Sequence, residues 1–230
     1  MSFGPLEIIY RDEHLVAINK PSGLIVHKTP MAKDAKIFAL QELRNQLNQY
    51  VYPAHRIDRQ TSGVLLFALS PELDKQLKEL FRNQKVKKTY WTIVRGFAPE
   101  EGTITKPLAK DGSDELQEAT THFKKLRQTE LPLPVSRYPT CRVSLVEVYP
   151  ETGRMHQIRK HFAHIRHYII ADKPHGDCKQ NKLFFEKYNL NNMLLHSRAM
   201  IFEHPITKET IHLEAELPPH FREIVDLFKG

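Results

Sequence analysis

Cysteine is nearly missing from this chain: 230 residues carry two, Cys141 and Cys178. Two thiols cannot build the multi-bridge framework of a small secreted domain, which points to a reducing cytoplasm. Long apolar runs are missing as well. The longest, Val64 to Leu69, falls far short of the ~20 residues of a membrane helix, so no membrane-spanning segment is expected. Glu7, Arg11, Asp12 and Glu13 come early, and the N-terminus does not read as a signal peptide. The chain has no GxxxxGK[ST] loop and no GxGxxG after a strand, which removes the commonest nucleotide-phosphate signatures. It has no GxSxG elbow, which weakens a serine-hydrolase reading. Internal repeats and low-complexity tracts are absent.

What remains is ordinary globular chemistry: 40% hydrophobic and 27% charged residues, too apolar for a disordered chain. With about 150 residues per domain as a guide, residues 1–230 are read as one domain, the segment from Asp111 to Thr140 being an excursion within it. A chain this long buries roughly 70% of its unfolded surface and needs no disulfide or metal to fold. Lys and Arg number 34 against 27 Asp and Glu, a net charge of +7. That excess favours a polyanionic partner, nucleic acid first and an anionic membrane surface second.

Local patterns give a coarse element order. Val16 to Asn19 reads as a strand, Lys20-Pro21-Ser22-Gly23 as a turn and Leu24 to His27 as the returning strand. Asp34 to Tyr50 reads as a helix with Ile37, Leu40, Leu43 and Leu47 on one stripe. Val64 to Leu69, continuous and rich in branched residues, fits a fully buried strand. Ser70 can then cap a helix, Pro71 suits its first position, and Leu73, Leu77, Leu80 and Phe81 follow amphipathic spacing. Thr89 to Phe97, Ala119 to Lys125 and Arg142 to Val148 read as strands and Thr152 to His167 as a helix. Met200 to Glu203 and Thr210 to Leu213 form a closing hairpin around Pro205. Strands with long irregular connections and few helices between them imply an α+β fold.

Two segments stand out chemically. His55-Arg56-Ile57-Asp58-Arg59-Gln60-Thr61-Ser62-Gly63 sets one carboxylate between two arginines just before the buried strand. Flanking cations favour the ionised form, and a positioned carboxylate can act as a nucleophile. The same residues could also make a surface turn with solvated arginines. In the helix from Thr152 to His167, Met155, Ile158, Phe162 and Ile165 define a buried stripe. Arg159 lies within about 70° of its centre, with Arg166 close to it. An inward arginine cannot shed its charge and needs an anion, for which Asp58 is the first candidate; otherwise its stem snorkels outward.

His156, His161, His164 and His167 crowd that same helix. A zinc site needs three or four ligands converging on one point, whereas His156 and His167 are about 16 Å apart along the axis. Lys160 is interleaved among them, and no metal site is expected there. Cys141 reads as a small buried hydrophobe. Tyr90, just after the basic run Lys85, Lys87 and Lys88, is either a core aromatic or a stacking platform for a base.

These segments together resemble the RsuA/RluA superfamily of pseudouridine synthases, and its RluA branch in particular. Lys20-Pro21-Ser22-Gly23-Leu24 with His27 is similar to the first motif of that family. His55-Arg56-Ile57-Asp58 with Thr61-Ser62-Gly63 is similar to its catalytic motif, with Ile57 where Leu is usual. Lys88-Thr89-Tyr90, then Thr152-Gly153-Arg154 with His156-Gln157-Ile158-Arg159 and His161, then Leu195-His196, follow in the family's order. The resemblance runs from about residue 6 to residue 213. It departs at Tyr168, where Pro is common, and at Ala171, where Gly is common.

The resemblance implies an α+β fold: a mixed, mostly antiparallel sheet with flanking helices and a central cleft, without the S4-like N-terminal domain of many relatives. It implies a monomer that isomerises uridine to pseudouridine with no cofactor and no metal. Asp58 would be the nucleophile, attacking either the sugar C1′ or the base C6. Arg159 would pair with it, Tyr90 would stack on the target base and help remove the C5 proton, Arg56 would fill the space left by the flipped base, and Leu195 would line the substrate site. Ser136 to Thr140, His164 to His167, and His175-Gly176-Asp177 with Gln180-Asn181 resemble the members that act on tRNA at uridine 65. Another tRNA position, rRNA, or RNA binding without catalysis are the alternatives.

Overall fold

The computed structural model describes residues 3–28, 36–110 and 112–229. In chain order it has strands β1 (Glu7–Arg11) and β2 (Leu15–Lys20), helix α1 (Ala39–Leu47), strands β3 (Tyr52–Pro53) and β4 (Ser62–Ala68), and helix α2 (Pro71–Arg82). Strands β5 (Lys87–Arg95), β6 (Glu101–Thr105), β7 (Leu108–Ala109), β8 (Leu116–Gln117), β9 (Thr120–Leu131) and β10 (Cys141–Pro150) follow. Helices α3 (Gln157–His164) and α4 (Cys178–Tyr188), strands β11 (Leu195–Glu203) and β12 (Thr210–Glu214), and helix α5 (Pro219–Asp226) complete the chain. The elements divide into two compact units, Met1–Lys88 with Ser197–Leu217, and Thr89–His196 with Pro218–Gly230.

In the first unit β2 pairs antiparallel with β1 and with β4, β3 pairs with β4, and β12 with β11. The continuous apolar run of β4 has a direct cause: both of its faces are covered. Val64, Leu66 and Ala68 pack with Leu73 and Leu77 of α2 and with Leu213 of β12. Leu65 and Phe67, pointing the other way, pack with Ala39 and Leu43 of α1. The Ser70 hydroxyl accepts the Leu73 N–H, so α2 starts where its cap and Pro71 place it.

In the second unit β5, β10, β9 and β6 pair antiparallel in that order. Val94, Val146, Val148 and Phe123 from these strands bury against Ile158 and Phe162 of α3. Every strand pairing described is antiparallel and the helices are few, so the α+β expectation holds.

Four expectations change. Leu24 to His27 forms no strand beyond one bridge at Ile25, because its carbonyls serve a helix: Ile25 O and Val26 O accept the N–H groups of Ala39 and Leu40 at the start of α1. Helix α1 is shorter than Asp34 to Tyr50, ending at Asn48 in the left-handed region; Asp34 lies outside the described residues. Strand β9 runs on to Leu131 instead of stopping near Lys125, since β10 supplies partners as far as Cys141. Helix α3 begins at Gln157, five residues later than Thr152, because His156 sits at φ 56°. Arg166 also falls beyond its end, exposed, at φ 62°. Strand β1 and helices α4 and α5 carried no signal that the sequence reading used.

Candidate active site

The segment from His55 to Gly63 enters β4 and is tied down by its own backbone and by the Lys20 turn. The Ala54 N–H donates to Leu66 O at 3.0 Å, and the Leu66 N–H donates to Nε2 of His55 at 3.1 Å. Nε2 is therefore an acceptor and the ring is neutral; burial first, then the Lys88 charge, holds His55 down at about 3. The ring stacks on Phe81 with centroids 4.7 Å apart. Ile57 is buried, Asp58 is half-buried and Arg56 is exposed. The Thr61 N–H closes a turn onto Asp58 O at 3.1 Å. Gly63 follows at φ 105°, and a Cβ there would overlap the Ser197 carbonyl, so only glycine fits at the point where this segment becomes strand.

Opposite it stands the Lys20-Pro21-Ser22-Gly23 turn. Gly23 has φ 89°, as its turn requires. The turn exchanges two hydrogen bonds with Arg59: Gly23 N–H to Arg59 O at 2.8 Å, and Arg59 Nε–H to Gly23 O at 3.1 Å. The Ser22 hydroxyl donates to Gln60 O at 2.7 Å. Lys20 is wholly buried, and burial pulls its ammonium down from 10.5 to about 7, against the pull of the Asp58 charge. Burial likewise lowers Lys88 to about 8.

Both lysines bind a proton less tightly folded than unfolded. The unfolded chain therefore holds the extra protons above pH 7, and stability rises with pH there. The denaturation midpoint in urea is expected to climb from pH 7 to pH 9; a flat or falling midpoint would show both amines to be solvated.

The second unit presents Tyr90, Arg159 and Leu195. Tyr90, half-buried on β5 opposite Val148 of β10, rests against the apolar cluster that includes Phe162 and Leu195. Leu195, at the start of β11, is 3% exposed and belongs to that cluster. Arg159 points inward from α3, as its helical position demands. Its Nε and Nη2 donate to Oδ2 and Oδ1 of Asp172 at 2.8 and 2.9 Å, a two-pronged pair with side chains 6% and 1% exposed. Oδ1 of Asp172 also accepts the His175 N–H at 3.2 Å.

Sequence reasoning asked for an inward carboxylate near Arg159 and named Asp58; Asp172, which it did not name, is one carboxylate that meets it. The available signal was a lone Asp directly after the apolar Ile169-Ile170-Ala171. Ala171, which departs from the family's usual Gly, nevertheless adopts φ 61°. Asn181 holds it there, accepting the Ala171 N–H at 2.8 Å and donating to Asp172 O at 2.8 Å.

Gln157 was also missed. Its Oε1 accepts from the Thr152 hydroxyl and the Arg154 N–H, and its Nε2 donates to Thr120 O and Thr121 Oγ1. That side chain fixes the Thr152-Gly153-Arg154 turn to β9 and explains the late start of α3.

The histidines of the third motif diverge. His161, buried, contacts Thr121 Oγ1 with Nδ1 and Lys106 O with Nε2. His156 Nδ1 meets His175 Nε2 at 2.9 Å, His164 Nδ1 meets Lys106 Nζ at 3.0 Å, and His167 Nδ1 meets Arg95 O at 2.9 Å. Cys141 is fully buried, which pushes its thiol up to about 11 and makes it inert.

Comparison with known proteins places this geometry in a family. A family model described as RNA pseudouridylate synthase matches residues 14–164. The proteins named tRNA pseudouridine synthase C from Vibrio vulnificus (strain CMCP6) and Yersinia pestis are 42% and 41% identical. Both alignments cover 97% of this chain, and 96% and 91% of those proteins. Among solved structures, Human RNA Pseudouridylate Synthase Domain Containing 4 superposes with a TM-score of 0.75 at 26% identity, covering 97% of this chain and 93% of that one. Human RNA Pseudouridylate Synthase Domain Containing 1, at 20% identity, shares the fold with a TM-score of 0.76. Matched in fold, and in sequence over nearly its full length, the chain belongs to the RNA pseudouridylate synthase family.

Proposed function

We propose that this protein converts a uridine of tRNA, that at position 65, to pseudouridine, acting in the cytoplasm as a monomer with a single catalytic domain and no cofactor. The observation that carries this reading is the run of relatives about 40% identical along nearly the whole chain, each named tRNA pseudouridine synthase C. The net charge of +7 suits a polyanionic substrate. Asp58 is the nucleophile. Its half-buried carboxylate sits in a loop fixed on both sides by backbone hydrogen bonds, which suits a group that must meet one carbon of a flipped nucleotide. Arg56 fills the space the flipped base leaves, Tyr90 stacks on that base with its ring backed by the apolar cluster of its unit, and Arg159 and Leu195 are the further substrate-binding residues.

The product is an isomer of the substrate, so intact mass does not register it. Forming the new bond at C5 expels the hydrogen there, and tritium release from tRNA labelled at uridine C5 reads the reaction directly. The wild type is expected to release label from unmodified tRNA, and to release none when uridine 65 is replaced by cytidine. Release that survives that replacement would move the target to another position. Release from rRNA alone would move it off tRNA.

A further inference from the structure

Lys20 ends β2 with no solvent exposure. An ammonium has three donors and no acceptor, and three backbone carbonyls meet it: Leu24 O at 2.7 Å, Pro21 O at 2.9 Å and Arg59 O at 3.2 Å. Two of these belong to the turn that follows β2. The third is the carbonyl of Arg59, the residue next to Asp58. A neutral donor could latch the two loops at far lower desolvation cost, so a charge kept in this place calls for a counter-charge. Among the described residues Asp58 supplies the opposing charge that favours the ammonium, and the attraction is mutual. Arg56 and Arg59 are the other cations of the two joined loops, Arg56 exposed and the Arg59 guanidinium turned to Gly23 O.

We propose that Lys20 is a positioning residue for the reaction: its ammonium fixes the Arg59 carbonyl, one residue past Asp58, and holds a positive charge toward the Asp58 carboxylate, favouring that carboxylate as leaving group. This rests on Asp58 being the nucleophile. Whichever carbon Asp58 attacks, its oxygen is bonded and uncharged in the covalent adduct, the negative charge having passed to the uracil. When the adduct collapses, the electron pair of that C–O bond returns to the carboxylate oxygen, and the C5 proton leaves to solvent or a base. Neither step draws its proton from Lys20. Its charge lowers the energy of the free carboxylate relative to the adduct, which is what a reversible covalent step requires.

The test uses the full-length protein. Lys20→Met and Lys20→Gln are expected to slow single-turnover tritium release about 10²-fold, the effect of a misplaced reacting group, while tRNA affinity stays within about twofold. A single-turnover rate equal to wild type in either folded variant would overturn the proposal. A second readout needs neither variant to fold. In ¹³C spectra of the lysine side chains, the Lys20 signal is expected to titrate at lower pH in Asp58→Asn than in wild type, because the opposing charge is gone. An unmoved titration would overturn the proposal whatever the activity. A moved titration in a protein that releases no label from tRNA would instead remove the proposed function and leave the charge pairing standing.

Discussion

Asp58→Asn is expected to reduce tritium release by ~10⁴-fold or more, the scale on which removal of a nucleophile acts. The amide keeps the size and shape of the carboxylate and loses the charge and the lone-pair basicity that attack requires. The loop that carries it is held by bonds the substitution does not touch: Thr61 N–H to Asp58 O, Gly23 N–H to Arg59 O, and the Ser22 hydroxyl to Gln60 O. The variant should therefore fold, with some loss of stability where Lys20 loses its counter-charge, and bind tRNA within about threefold of the wild type, since phosphate contacts supply most of the affinity. Side-by-side release assays and filter binding decide the matter. Appreciable isomerisation by the purified variant would end the assignment of Asp58 as nucleophile. Lost binding together with lost turnover would make Asp58 a structural residue.

Arg159→Ala should produce the largest loss of stability. It leaves the Asp172 carboxylate, 1% exposed, with only the His175 N–H among its described donors. Breaking a buried pair from one side costs about 3–5 kcal/mol, because the remaining charge stays out of water without its counter-ion. For a chain of this size that is a fall in Tm of about 6 to 20 °C. Arg159→Lys should recover part of the loss, since an ammonium cannot reproduce the two parallel N–H bonds. Removing both charges, as Arg159→Met with Asp172→Leu, should restore much of the stability while activity stays low, which separates the architectural pair from its use in catalysis. A Tm for Arg159→Ala within about 2 °C of wild type would mean that water reaches the pair and screens it.

The pair also shows where sequence reasoning stops. The helical position of Arg159 was enough to say that it points inward and needs an anion. The choice of Asp172 was not legible, because that residue lies 13 positions away, beyond the end of α3 and a further turn. Gln157 was invisible for a similar reason: it looks like any helical glutamine until β9 is placed beside it. The extent of α3 was misjudged because apolar spacing continues through Met155 while the backbone at His156 does not. Helix α2 and strand β4, by contrast, follow from signals only a few residues long: a cap, a proline, and a run with no polar face to expose.

By itself the sequence determined the α+β class, the positions of β2, β4, α2, β5 and β10, the segment that carries Asp58, and the family. All of these depend on local periodicity, on turn chemistry, or on ordered motifs that a linear chain displays in full. Only the tertiary structure decided that Lys20 is buried against the carbonyl after Asp58, that Asp172 answers Arg159, and that Asn181 holds Ala171 in a glycine-like conformation. Each of those is a contact between segments that the chain keeps apart, and burial, which makes such contacts strong, exists only once the segments have met.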